Sequence, residues 1–158
     1  MTLHSKTPQK RRPIRVAGLA LRTDNASESR PATGKIPGLW EQFREHWFDR
    51  LGDLGAVGPP LGLYSAYESD ASGSFQILAG REIASNAAIE APLQVVSVPA
   101  GKYLMFQSSG SLPESVVRGW QEVWAYFARP DAPARAYTYD VEVYPSAESV
   151  EIWIAIQD

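Results

Sequence analysis

Two stretches of this chain answer each other in the same order. IPGLWEQFREHWF (36–48) corresponds to LPESVVRGWQEVWAYF (112–127), and YESDASGSFQI (67–77) to YPSAESVEIWI (144–154). A repeated strand, helix and hairpin cannot bury its apolar faces alone, so the two copies must pack on each other. At 158 residues the pair fills about one ordinary domain.

The first copy opens with an aliphatic strand at 14–22, followed by the cap-rich loop TDNASESRPATG. Apolar residues at 36, 39, 40, 43, 47 and 51 then follow helical spacing. Gly52, Gly55, Gly58, Pro59 and Pro60 end that pattern, and LGLYSAYES and SFQILAGREI, joined by DASG, read as a hairpin. The second copy runs from a strand at 93–98 through Pro99-Ala100-Gly101 to a strand at 102–107. A helix striped by Val116, Val117, Trp120, Val123, Trp124 and Phe127 follows, then strands at 135–144 and 150–156. The expected fold class is α+β: duplicated βαββ units with antiparallel sheets, helices on one face and a central ligand groove. The half-units span about 14–90 and 91–158 in one domain, 14–158, preceded by a basic disordered arm, 1–13.

Charge separates that arm from the body. Lys6, Lys10, Arg11 and Arg12 leave 11 of the 15 basic residues to face 18 acidic ones in the remainder. An acidic body repels a phosphate backbone, so no direct DNA binding is expected. Without cysteine, and with only His4 and His46, the chain offers no thiolate nucleophile, disulfide or Cys/His zinc site. No metal is expected. The glycines at 52–58 lack a following Gly-Lys-Ser/Thr, so no nucleotide cofactor is expected either. No apolar run is long enough for a membrane span or secretory signal, which predicts a cytoplasmic protein.

The last hairpin separates into two faces. Val141 and Val143 with Val150, Ile152, Ile154 and Ile156 are aliphatic, whereas Asp140, Glu142 and Tyr144 share the other face with Glu151, Trp153 and Ala155. A turn at 145–148 would set Glu142 beside Glu151. Paired carboxylates next to large rings suit an organic cation or general acid/base chemistry. Trp40 and Trp120, near the helix starts, are placed to line a cleft between the halves, and Tyr64, Tyr67, Tyr137 and Tyr139 offer hydroxyls.

The runs KIPGLWEQF, LGLYSAYESD with FQILAG, VPAGKYLMFQSSGSLPESVVRGWQEVWAYF and RAYTYDVEVYPSAESVEIWIAIQD resemble the GyrI-like small-molecule-binding family, also described as the effector-binding domain of AraC-type and MerR-type regulators. The resemblance covers about residues 14–157 and implies two βαββ units around a central groove that binds bulky, cationic aromatic compounds. It places Glu142 (in DVEVY) and Glu151 (in VEIWIAI) in that groove, with Tyr64, Phe106, Trp120, Tyr137 and Trp153 as walls. Only about 13 residues precede the first strand, too few for the regulators' DNA-binding region. The leading expectation is a small-molecule binding module. The alternatives are a hydrolase of strained electrophiles using Glu151, Glu142 and Tyr137, and a factor that binds a protein partner. Monomer and homodimer are both open.

Overall fold

The computed structural model describes residues 6–84 and 87–157. The elements run β1 (Gln9–Arg11), β2 (Ile14–Asp24), α1 (Asn25–Glu28), α2 (Ile36–His46), α3 (Phe48–Asp53), β3 (Val57–Ser65), β4 (Ser74–Ile83), β5 (Gln94–Val98), β6 (Gly101–Ser109), α4 (Glu114–Phe127), β7 (Arg135–Ser146) and β8 (Ser149–Ile156). All eight strands join one antiparallel sheet in the order β1-β6-β8-β7-β3-β4-β2-β5. The two βαββ units therefore meet at β3 and β7, in the centre.

That order forces the sheet to curl. β1 and β2 belong to opposite ends of the sheet, yet only Arg12 and Pro13 separate them. Only Pro99 and Ala100 separate β5 from β6, which also lie towards opposite ends. Three Cα–Cα steps reach at most about 11 Å, so the two ends must come round to each other. The result is a curled half-barrel. Gly18 and Gly80 face each other across β2 and β4, and a Cβ on either would fall 2.0 or 2.1 Å from a carbonyl oxygen of the neighbouring strand. Only glycine permits so tight a bend there.

Curling gives the sheet a buried inner face packed from strand residues. Val16, Leu63, Leu78 and Val141 are there, each at most 1% exposed. The outer face carries the helices, α2 over β2 and β4, and α4 over β6 and β8. Each helix has its own core, around Phe43 and Ile77 in the first half and around Phe106 and Ile152 in the second. The central strands β3 and β7 lie between the two.

Three expectations change here. The basic arm is not disordered throughout: Gln9–Arg11 form β1, paired with Gly101–Tyr103 of β6, while residues 1–5 lie outside the described residues. The α4 stripe is turned, because Gly119 lets that helix sit close on Ile152; Ser115, Gly119, Val123 and Tyr126 are buried, and Val117 and Trp124 remain 53% and 46% exposed. The loop before α2 contains the short helix α1, whose Glu28 carboxylate accepts from the Lys35 and Ile36 backbone N–H groups and so caps α2.

Candidate functional site: a buried glutamate in an aromatic cage

On the outer face, between the helices, Glu142 of β7 is 2% exposed. Its Oε2 accepts from the Tyr64 hydroxyl at 2.9 Å and from Trp120 Nε1–H at 2.5 Å, and its Oε1 accepts from the Tyr144 hydroxyl at 2.9 Å. Trp40 brings its ring edge to Gly62, directly across the strand pair from Glu142. The rings pack in two edge-to-face pairs, Trp40 with Tyr144 at 5.3 Å and Trp120 with Tyr64 at 5.2 Å.

This cage is symmetric. Trp40 and Trp120, Tyr64 and Tyr144, and Gly62 and Glu142 share one sequence offset, so each pair holds equivalent places in the duplication. Because Gly62 and Glu142 are also register partners across β3 and β7, the local twofold axis passes between them. Each half gives one Trp and one Tyr, and only the second gives an acid.

Burial pushes the Glu142 carboxyl up from its ordinary value, and the hydrogen bonds from Trp120, Tyr144 and Tyr64 oppose the rise. Among the described residues no Lys, Arg or His forms an ion pair with it. Tyr64 and Tyr144 are themselves raised well above the usual phenol range, by burial first and then by Glu142, so both remain hydroxyl donors. The carboxylate is solvated by neutral donors and has no counter-cation. The rings cover the carboxylate, and hollows of about 670 Å³ beside Lys10, Arg11 and Lys102, and about 440 Å³ beside Tyr67, Tyr137 and Tyr139, lie elsewhere.

A second buried acid has a partner. Asp140, 0% exposed, binds Arg135 Nη2 at 2.8 Å, accepts the Ala155 backbone N–H at 2.9 Å and accepts from the Tyr67 hydroxyl. Burial raises its carboxyl too, against the pull of Arg135.

Of the residues named from sequence, Glu142, Tyr64, Trp120 and Trp40 come together here; Glu151, Trp153, Phe106 and Tyr137 do not. The observed register sets Glu142 opposite Ile152 and Val143 opposite Glu151. One residue of slip, taken up at an irregularity between Val143 and Ser146, sends Glu151 and Trp153 to the inner face. There Trp153 Nε1–H donates to Glu151 Oε1 at 3.2 Å, and the Arg11 guanidinium lies 4.5 Å over the Trp153 ring. The Trp153 ring does hold a cation, but it is the chain's own Arg11. Phe106, 1% exposed, is core between β6 and α4, against Tyr126 at 5.5 Å. Tyr137 packs on Tyr67 at 5.7 Å, under the Arg135 guanidinium. The hydrolase arrangement of Glu151, Glu142 and Tyr137 is therefore not assembled.

Gly62 was not singled out from sequence, and Tyr144 was placed on the face of Glu142 but not named among the walls. Their signal is LGLY (61–64) set against VEVY (141–144), which equates Tyr64, not Tyr67, with Tyr144. Among the described residues there is no cluster of three or more His, Cys, Asp or Glu suited to a metal, and no helix is long and apolar enough to cross a membrane.

Comparison with known proteins agrees with this architecture. An integron cassette protein from the mobile metagenome of Vibrio cholerae is 37% identical over 96% of this chain and 95% of its own, with a TM-score of 0.82. SAV2435, solved bound to tetraphenylphosphonium, is 21% identical over 98% of this chain and 94% of its own, with a TM-score of 0.75. No curated protein sequence matches. The family model of the integron-associated effector-binding proteins matches residues 9–156. Nearly the whole chain lies within that match, so it belongs to the Cass2 family of small-molecule effector-binding proteins.

Proposed function

We propose that this protein binds a bulky, lipophilic, aromatic cation between α2 and α4, with Glu142 as counter-charge and Trp40, Tyr64, Trp120 and Tyr144 as walls. The observation that carries the reading is a carboxylate buried among four rings without a cation of its own. A buried charge in that state is costly, and an organic cation both neutralises it and stacks on the rings. Trp40 and Trp120 are only half-buried, so ligand entry swings them outward and frees the carboxylate from the Trp120 N–H. The tetraphenylphosphonium held by SAV2435, a chain of the same fold, supports this ligand class.

The test is tryptophan fluorescence titrated with tetraphenylphosphonium and with neutral triphenylphosphine oxide. The cation should quench and the neutral compound should not. Glu142→Gln should weaken the cation by about tenfold or more, near 1.4 kcal/mol, while Glu151→Gln, on the other face, should leave it unchanged. Equal binding of both compounds, or an indifferent Glu142→Gln, would overturn the reading.

A further inference from the structure

The geometry points to a ligand whose positive charge is central, with one aromatic arm on each side, rather than a cation with its charge at one end. The inference rests on Glu142 being the counter-charge. Its own support is the placement of the acid at the local twofold. Glu142 and Gly62 are both register partners and duplication counterparts, so one carboxylate serves the midpoint of the cage. The two tyrosine hydroxyls reach it equally, each at 2.9 Å, one to each oxygen. Beyond the acid, each half presents a Trp/Tyr pair of nearly the same edge-to-face spacing, 5.3 and 5.2 Å.

A cation seated at the carboxylate is thus flanked by two like aromatic walls. A ligand with rings on both sides of its charge stacks on both, whereas one with all its rings on a single side leaves one wall unfilled. Besides the acid itself, the halves differ in the Trp120 N–H donated to Glu142, which the cation displaces on binding.

Two isomeric quaternary ammonium ions separate the cases, because they share formula and charge. Dibenzyldimethylammonium carries one ring on each side of nitrogen, and (4-biphenylylmethyl)trimethylammonium carries both on one side. The first should bind about tenfold tighter. Trp40→Phe and Trp120→Phe, conservative enough to keep the fold, should each weaken the two-armed ion by a similar factor and weaken the one-sided isomer unequally. If both ions bind, both are weakened by Glu142→Gln, and the one-sided isomer binds as well or better, the two-armed inference fails and the cation site stands. If neither ion binds, the site reading fails and takes this inference with it.

Discussion

Gly62 stands directly across the central strand pair from Glu142, and a Cβ on Gly62 would lie 2.9 Å from Glu142 Oε1 and 3.3 Å from Trp40 Cζ2. The acid of one half occupies the room that the other half leaves by having no side chain. Gly62→Ala should displace both groups, costing about 1–3 kcal/mol in stability and weakening cation binding. Urea denaturation and the fluorescence titration read the two effects; an alanine without effect on either would show that the cage has slack.

Stability and ligand affinity should respond to pH in opposite directions. Burial raises the Glu142 pKa in the folded state, so above the unfolded glutamate value, about 4.3, the folded chain holds a proton that the unfolded chain has lost. The contribution of this group to stability therefore falls as pH rises through the window between the two pKa values and is level below it. Cation binding needs the ionised form and should strengthen over the same window. Asp140 is raised as well, so the comparison is wild type minus Glu142→Gln. Urea midpoints taken from about pH 4 to about pH 7 should show this difference, and a difference that stays flat would count against it.

Gly80→Ala should be far more damaging than Gly62→Ala. Its Cβ would fall 2.1 Å from the Ala17 carbonyl oxygen, which is backbone and cannot turn aside. A loss of about 3 kcal/mol or more is expected, seen as a lowered urea midpoint.

Asp140→Asn should leave the Arg135 guanidinium buried without its counter-charge, at a cost of about 3–5 kcal/mol. The joint replacement Asp140→Asn with Arg135→Met, which keeps an acceptor for the Ala155 N–H and the Tyr67 hydroxyl, should recover most of that loss. A double variant as unstable as the single one would assign the cost to packing rather than to the stranded charge.

The duplication, α2 and α4, and the strands β2 to β8 in chain order were readable in the residues, because apolar spacing and turn chemistry repeat in both halves; α1 and β1 were not. Neither was the face of Glu151. A strand alternates with period two, so one residue at the β7–β8 turn decides which side each side chain takes, and the irregularity between Val143 and Ser146 leaves no mark in the alternation. Glu142 was named from sequence with Glu151 as its neighbour, and the observed register separates the two. Trp40 and Trp120, which follow from the repeat itself, do lie beside Glu142. Phe106 and Tyr137 lie apart from Glu142, since aromatic identity alone does not say which face or core a ring packs on. The pairing of β1 with β6 joins residues far apart in sequence through three backbone partners, with no side-chain pattern to announce it.

The short connections through Arg12-Pro13 and Pro99-Ala100 also bear on how copies of this molecule meet. A flat eight-stranded sheet would present two long rows of unpaired backbone groups to any neighbouring chain. In this protein the outermost strands are three and five residues long, one of them carries Lys10 and Arg11, and the curl brings them round towards each other. Strand-by-strand growth is left only the stretches that these short strands do not cover, residues 19–24 of β2 and 104–109 of β6, each on a curled edge.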